Sequence, residues 1–277
     1  MKTSKKFRVP LRVIQTMTIL LFTSSCELFN GEVPWSGKDP KKKQITYYGP
    51  KVTLGDGNAR TFITINKEGV PVSMGITLSE KALLNLPTAH DGHDGPVSLE
   101  NVLQLPVQAE ITPFKFATLD WNPSGHEPIG VFDLPHFDCH FYMISNEERL
   151  TIMPLAPDVM DPEIPLAKYL PEIYVQTPGR VPNMGVHWID PTGHEFNGGT
   201  FDRTFIYGTY KEKVAFMEPM VTMDYLKSKP EKVDPILLPE AYQIDGFYPS
   251  KYEVKYYPHK KEYQIKLSEF SLKIADQ

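Results

Sequence analysis

Residues 130–144 read GVFDLPHFDCHFYMI and form the stretch of the chain most typical of a β-strand. Side chains alternate along a strand, so His136, Asp138 and His140 share one face of it. The intervening aromatic residues and Cys139 share the other face, which is typical of a hydrophobic core. Three polar side chains opposite a buried face predict a cavity or a solvated surface in which each of them has a partner.

Strand-like segments continue on both sides of this stretch, and few long helices are compatible with the composition. The chain has 26 prolines among 277 residues, about twice the usual share, and proline interrupts helices. We therefore predict a mainly β fold of the α+β kind, an antiparallel sheet or barrel with a few short helices. Strands are expected at 61–65, 114–121, 185–189, 204–210, 213–217, 252–257 and 263–274, short helices at 79–86, 167–170 and 221–226, and a long loop at 150–183.

The first 25 residues have the order of a bacterial export signal. Basic residues up to Arg12 precede an apolar run that ends at Phe22, and small residues lead into Cys26. The small residues followed by Cys26 resemble the lipobox of bacterial lipoproteins, in which the cysteine carries diacylglycerol. The alternative is an ordinary signal peptide that is cleaved nearby, with Cys26 unmodified. We predict a lipoprotein signal peptide at 1–25, lipidation of Cys26, a flexible tether at 26–45, and a single β-rich domain at 46–277 that ends in a hairpin at 252–274.

The charge and the cysteines narrow the possible partners. The formal net charge is −5, and because the first 25 residues are basic, the rest of the chain is more acidic still. An acidic body argues against a nucleic-acid partner. A lipidated Cys26 would leave Cys139 without a disulfide partner. We expect a protein on the extracytoplasmic side of the bacterial cell envelope, in the periplasm or at the outer membrane, whose partner is the membrane that holds its lipid anchor.

The polar face of residues 136–140 predicts part of a metal site. Strand positions i and i+2 lie about 6.6 Å apart and positions i and i+4 about 13 Å apart, so both histidines bind one ion only if they reach inward from either side of it or if a bulge shortens the span. Further ligands must come from elsewhere, and an imidazole in a strand and an acid within an apolar run are the best candidates. The predicted ligands of a divalent Zn, Mn or Fe ion are His136, His140, His187 and Glu218, with Asp138, Tyr207 and His126 as supporting neighbours.

A buried histidine cluster without a metal, held by hydrogen bonds to Asp138 and Tyr207, is the alternative interpretation. Another group of metal-binding residue types occurs at 88–97, but its glycines favour an ordinary loop that faces solvent. Cys139 is a poor candidate for a nucleophile because the neighbouring histidines lie on the opposite face of the strand.

Six segments that follow one another along the chain resemble a known family. They are LDWNP (119–123), GHEP (125–128), PHFDCHFY (135–142), MGVHW (184–188), and YG (207–208) followed by FMEPM (216–220). Together they resemble secreted bacterial proteins that carry a domain of unknown function, typified by a Thermus protein under extracytoplasmic sigma-factor control. The resemblance covers about residues 48–226, and the family has an aromatic residue where Cys139 stands. It implies a β-rich exported domain and assigns no reaction.

Three hypotheses for the function follow. The first is a lipid-anchored, metal-binding β protein with a binding role, linked to envelope stress. The second is a metal-dependent enzyme that acts on an unidentified small molecule in a barrel pocket lined by Trp121, Trp188, Tyr142 and Tyr207. The third is a structural subunit of a homo-oligomer. A deep pocket containing the histidines favours the enzyme, whereas a closed histidine cluster favours binding or structure.

Overall fold

The computed structural model describes residues 44–88 and 99–276. The predicted signal peptide, Cys26, nearly all of the tether, and most of the loop with His90 and His93 lie outside the described residues. Two α-helices occur within them, α1 (Asn146–Arg149) and α2 (Met223–Lys227). The described strands are β1 (Gln44–Tyr48), β2 (Val52–Leu54), β3 (Gly57–Asn66), β4 (Pro71–Ser79), β5 (Leu99–Gln104), β6 (Phe116–Asn122), β7 (His136–Tyr142), β8 (Val175–Gln176), β9 (Val186–Ile189), β10 (Arg203–Tyr210), β11 (Lys213–Thr222), β12 (Glu231–Pro235), β13 (Gly246–Tyr248), β14 (Lys251–Tyr257), β15 (Glu262–Ser268) and β16 (Ser271–Lys273).

The strands form two large sheets and one small sheet, and the pairing is antiparallel throughout the described residues. The first sheet has the order β1-β3-β4-β15-β14-β12, with β2 also paired to β3. The second has the order β5-β6-β7-β11-β10-β9-β8, and β13 pairs with β16. The mainly β, antiparallel prediction is confirmed. Each large sheet is open, with its end strands unpaired to each other in the described residues, so the barrel form of that prediction is wrong.

One hydrophobic core joins the inner faces of the two large sheets. Ile76 and Ile265 enter it from the first sheet, and Phe137, Cys139 and Phe141 enter it from β7 in the second. All five side chains are fully buried. Burying one large apolar side chain contributes roughly 1.5–3 kcal/mol, so this core dominates the stability of the fold. The alternation of β7 thus places its apolar face in the core, as the sequence predicts.

The opposite face of the second sheet is covered as well, by the connections between its strands. Apolar side chains from residues 131–132, 144–152, 184 and 196–201 pack there in two smaller clusters, one around Tyr142 and Phe216 and the other around Phe132 and Met220. The polar face of β7 is therefore enclosed, and His136 and His140 are completely buried.

The helices are short, as expected. Thr222 caps α2 by accepting a hydrogen bond from the backbone of Tyr225, and Ser145 caps α1, which the sequence analysis missed, in the same way. The predicted helices at 79–86 and 167–170 are 3-10 turns at Glu80–Leu83 and Ala167–Tyr169. None of the helices in the described residues is long and apolar enough to cross a lipid bilayer. Near the C-terminus, β14 and β15 form a hairpin, whereas β16 pairs with β13.

Candidate metal centre

Adjacent strands of the second sheet bring three of the predicted ligands to one place. His140 lies on β7, Glu218 on the neighbouring β11, and His187 on β9. On β10, which separates β11 from β9, Ile206 pairs with Glu218 and Gly208 pairs with His187. Ile206 and Gly208 are two residues apart and share a face, so the side chains of Glu218 and His187 project from the same side of the sheet.

The side chains of His140, His187 and Glu218 converge, and we call this group the Glu218 site. One ligand atom from each lies within 4.8 Å of the others. Nε2 of His140 is 3.4 Å from Oε1 of Glu218, and Nε2 of His187 is 3.7 Å from Oε2 of Glu218. Ligand atoms around a tetrahedral Zn²⁺ stand about 3.4 Å apart, whereas a charge-assisted hydrogen bond spans about 2.7–2.9 Å. The two distances therefore suit atoms that bind the same metal ion better than atoms that are hydrogen-bonded to each other.

Two atoms at the centre of the Glu218 site have no hydrogen-bond partner. They are Nε2 of His140 and Oε2 of Glu218. Both residues are at most 1% exposed, so water cannot readily satisfy these atoms from outside. An unsatisfied buried polar atom destabilises a fold by about 1–3 kcal/mol, and a charged one by more. A divalent cation between the two atoms would satisfy both.

Asp120 orients the imidazole of His140 and was missed by the sequence analysis. Its Oδ2 lies 3.0 Å from Nδ1 of His140, and the Thr118 hydroxyl donates to the same oxygen at 3.1 Å. Because an ionised carboxylate only accepts, Nδ1 of His140 carries a proton, and Nε2 is left as the atom able to bind a metal. Histidines that bind metals are commonly held in this way. Asp120 pairs directly with Asp138 across β6 and β7, so applying the alternation of β7 to β6 could have found it.

Burial and mutual charge shift the pKa values of the Glu218 site. Burial raises the pKa of Glu218 to about 8, although His140 opposes the shift. Burial alone would lower the pKa of His140, but the carboxylates of Glu218 and Asp120 raise it to about 9. Burial, followed by the charge of His140, lowers the pKa of His187 to about 3. The raised pKa values favour bound protons on His140 and Glu218 in the metal-free site, which an ion would displace, whereas the lowered pKa of His187 leaves this imidazole neutral and ready to bind an ion.

His136 lies apart from these three residues, which corrects the predicted set of four ligands. The pairing of β6 with β7 is continuous from Phe116 to Asn122, so no bulge shortens the distance between His136 and His140. Without a bulge, the side chains of His136 and His140 would have to reach toward each other to bind one ion, and that of His136 does not. His136 instead meets Asp138 and His126, and one ligand atom from each of these three residues lies within 4.8 Å of the others. We call this second group the Asp138 site.

Tyr207, a predicted neighbour of the ligands, belongs to the other side of the sheet. Its hydroxyl donates to the carbonyl oxygen of Leu237 at 2.9 Å, and its ring packs edge-on against Tyr174 in the central core. Because Gly208 pairs with His187, the adjacent Tyr207 must point the opposite way. The alternative interpretation, a histidine cluster held by hydrogen bonds to Asp138 and Tyr207, is therefore wrong about Tyr207. It is right that Asp138 lies beside His136 and His126.

Phe216 holds the two imidazoles of the Glu218 site in place. Its ring centroid lies 4.8 Å from that of His140 and 5.4 Å from that of His187. The ring fits only because residue 208 is glycine: a Cβ on Gly208 would lie 2.0 Å from the ring atoms of Phe216.

The variant Gly208→Ala is accordingly expected to displace Phe216 and weaken Zn²⁺ binding at the Glu218 site at least ~10-fold, with a loss of stability of about 1–3 kcal/mol. Gly75→Ala is the matched control, because its Cβ would also clash, at 2.4 Å from the carbonyl oxygen of Ile265, but in the other sheet. Isothermal titration with Zn²⁺ and urea unfolding measure the two effects. Equal Zn²⁺ affinities in both variants would show that Phe216 does not position the ligands.

Two cavities of the described residues lie away from the Glu218 site. One of about 20 Å³ borders Met143, Tyr207 and Tyr242, and a wider surface cavity of about 570 Å³ borders Tyr242 and Lys273. Neither is lined by a member of the Glu218 site. Of the four aromatic residues predicted to line an enzyme pocket, only Tyr207 borders either cavity. The side of the sheet that carries the Glu218 site is instead covered by packed side chains around Tyr142 and Phe216.

Comparison with known proteins gives one partial match. Residues 66–121 match the model of a family described as TTHB210-like, hypothetical protein TTHB210. No curated protein and no solved structure matches the chain. The matched segment includes β4 and β5 and ends within β6, so it contains Asp120 but none of the residues of the Glu218 site. Over this segment the chain is similar to the TTHB210-like family, which supports the predicted family, although the match is shorter than the predicted span of 48–226 and includes only residues 119–121 of the motifs.

Proposed function

We propose that this chain is a metal-binding β protein that holds a divalent cation between His140, His187 and Glu218. The observation that supports this most strongly is the pair of buried, unsatisfied atoms, Nε2 of His140 and Oε2 of Glu218. Two imidazoles and a carboxylate suit Zn²⁺, Mn²⁺ or Fe²⁺ and leave a coordination position for water or another ligand.

The charges of the site support the same proposal. Asp120 and Glu218 are buried carboxylates that lie on either side of the His140 imidazole. A divalent cation with neutral imidazoles would balance these two negative charges, and buried charges are tolerated in proteins when they are paired or bind metals. The side chain of His187 is 18% exposed, which gives an ion a route to the site.

The enclosure of the site supports a binding or structural role over turnover. Substrates of enzymes bind in cavities lined by the reacting groups. The Glu218 site is instead covered by Phe216, Tyr142 and the connections between strands.

Elemental analysis of the purified full-length chain after dialysis against Zn²⁺ tests the proposal. The wild-type chain is expected to retain Zn²⁺, and His140→Ala and His187→Ala are each expected to lose one equivalent. His194→Ala is the control, because His194 is a half-exposed histidine with acidic neighbours, Glu195 at 3.3 Å and Asp202 at 3.6 Å. Equal Zn²⁺ content in all four proteins would contradict the proposal.

We further propose that the chain is anchored by a lipid on Cys26 at the outer side of the bacterial cell envelope. The support is the order of basic, apolar and small residues before Cys26. A role in envelope stress has only the resemblance to a family under sigma-factor control as support.

Expression in bacteria fed labelled fatty acid tests the anchor. The wild-type chain is expected to carry the label and to sediment with membranes, whereas Cys26→Ser is expected to lose both properties. Cys139→Ser is the control for a thiol that is buried in the core. Equal labelling of the Cys26→Ser chain would contradict the lipid anchor.

A further inference from the structure

We infer that the chain has a second site for a divalent cation, formed by His126, His136 and Asp138. This Asp138 site shares no ligand with the Glu218 site, so it can be tested independently of the function proposed above. Three observations lead to it: the distances among its ligand atoms, the orientation of its two imidazoles, and an unsatisfied carboxylate oxygen.

The ligand atoms of the Asp138 site surround one carboxylate. Nε2 of His136 lies 3.0 Å from Oδ1 of Asp138, and Nε2 of His126 lies 3.3 Å from Oδ2. His136 is completely buried and Asp138 is 3% exposed, whereas the side chain of His126 is 36% exposed. The site is therefore built into the sheet on one side and open to solvent on the other.

Both imidazoles present the same nitrogen to the carboxylate. Nδ1 of His136 lies 2.6 Å from the carbonyl oxygen of Leu134, and Nδ1 of His126 lies 2.7 Å from that of Glu127. A carbonyl oxygen only accepts hydrogen bonds, so both Nδ1 atoms donate a proton. A neutral imidazole fixed in this way directs the lone pair of Nε2 toward Asp138, so either a second proton on the ring or a metal cation must lie between the nitrogen and the carboxylate. Histidines that bind metals commonly donate their other nitrogen to a backbone carbonyl.

The carboxylate of Asp138 is incompletely satisfied by the protein. Oδ2 accepts a hydrogen bond from the amide of Asn122 at 2.7 Å. Oδ1 has no hydrogen bond of acceptable geometry, although it is buried and Nε2 of His136 is close to it. A buried carboxylate oxygen without a partner is unusual, and an ion bound also by His136 and His126 would provide the partner.

The local fold explains how these residues meet. Asn122 pairs with His136 and Asp120 pairs with Asp138 across β6 and β7, which places the amide and the carboxylate side by side. The connection between the two strands then returns over the sheet and packs the His126 ring edge-on against that of His136, with the ring centroids 4.7 Å apart. This return needs Gly125, whose φ of +69° is unfavourable for other residues and whose Cβ would lie 2.2 Å from the carbonyl oxygen of Phe132.

The ligand atoms of the Asp138 site determine which kind of metal ion it binds. Two imidazole nitrogens and one carboxylate suit Zn²⁺ and similar transition metals, whereas Ca²⁺ and Mg²⁺ prefer oxygen ligands. His136 and His140 are four positions apart on an unbulged strand, about 13 Å, so the two sites bind separate ions. The partly exposed His126 makes the Asp138 site the more accessible one for exchange.

Equilibrium dialysis of the purified full-length chain against Zn²⁺ alone tests the inference by stoichiometry. The wild-type chain is expected to bind two ions, His126→Gln one, His187→Gln one, and the double variant none. His194→Gln, which changes an exposed histidine outside both sites, is expected to keep two. Circular dichroism verifies that each variant is folded.

The outcomes separate the second site from the first. If His126→Gln keeps as many ions as the wild-type chain, the Asp138 site does not exist, and a drop in His187→Gln alone would leave the Glu218 site standing. If only His126→Gln loses an ion, the Asp138 site stands and the proposed function fails. Asp138→Asn preserves the shape of the side chain and is expected to lose the same ion as His126→Gln, which guards against misfolding of either variant.

Discussion

Replacing Glu218 with glutamine is expected to abolish Zn²⁺ binding at the Glu218 site and to stabilise the metal-free chain above pH 8. The amide has no negative charge and is a poor metal ligand, so the loss of affinity should exceed the ~10–100-fold typical of residues that only support a ligand. Burial raises the pKa of Glu218 to about 8, so above that pH the metal-free fold holds a charged, unsatisfied carboxylate. Removing it should stabilise the fold by ~1–3 kcal/mol.

Calorimetric titration with Zn²⁺ and urea unfolding at pH 8.5 in the presence of a chelator measure the two effects of Glu218→Gln. Glu195→Gln is a matched control, because Glu195 is another buried acid with an unsatisfied oxygen but contacts His194 outside both sites. It is expected to leave the Zn²⁺ affinity unchanged. Wild-type affinity in Glu218→Gln would mean that this carboxylate is not a ligand.

The metal-free chain is expected to lose stability steeply as the pH rises from 6.5 to 9. The carboxylates around His140 and His126 raise both pKa values to about 9 despite the opposing effect of burial, and burial raises that of Glu218 to about 8. In this window the folded chain binds protons that the unfolded chain has released. Each net proton lowers the free energy of unfolding by about 1.4 kcal/mol per pH unit.

Below pH 6.5 a different group determines how the stability of the metal-free chain depends on pH. The pKa of His187 is lowered by burial to about 3, so this group makes stability fall as the pH decreases from 6.5. Between pH 4.5 and 6.5 the effects of His187 and Glu218 oppose each other, and the maximum stability of the metal-free chain is expected there.

With Zn²⁺ bound, the stability of the chain is expected to rise with pH above 6.5, where that of the metal-free chain falls. Ligands must lose their protons to bind a metal, so the affinity rises with pH, and a free concentration 100-fold above the Kd stabilises a fold by ~2.7 kcal/mol per site. Urea unfolding at pH 6.5, 7.5 and 8.5, with chelator and with Zn²⁺, measures both trends. A metal-free chain that is more stable at pH 8.5 than at pH 6.5 would contradict the electrostatic description of the sites.

Strand periodicity alone predicted a large part of this arrangement. The alternation in residues 136–142 correctly assigned Phe137, Cys139 and Phe141 to the core and the polar residues to the other face. The residue types of His187 and Glu218 were enough to propose that they join His140. Periodicity works here because the side-chain direction in a strand is fixed by the backbone and does not depend on the partner strands.

The division into two sites could not be read from the sequence in full. Strand geometry already separated His136 from His140, and only the uninterrupted pairing of β6 with β7 excludes a bulge between them. His126 lies in a connection, and connections have no period that reports which way a side chain points. The orientation of Tyr207 needed the register of β10 against β9, and the open form of the sheets depends on long-range pairing that alternation does not specify.

Crystals of the full-length chain grown with Zn²⁺, with diffraction measured on both sides of the zinc absorption edge, test the central claim most directly. We expect an anomalous peak about 2.0–2.2 Å from Nε2 of His140, Nε2 of His187 and a carboxylate oxygen of Glu218. A map with no peak among these atoms, and with His140 and Glu218 joined by a direct hydrogen bond, would contradict it.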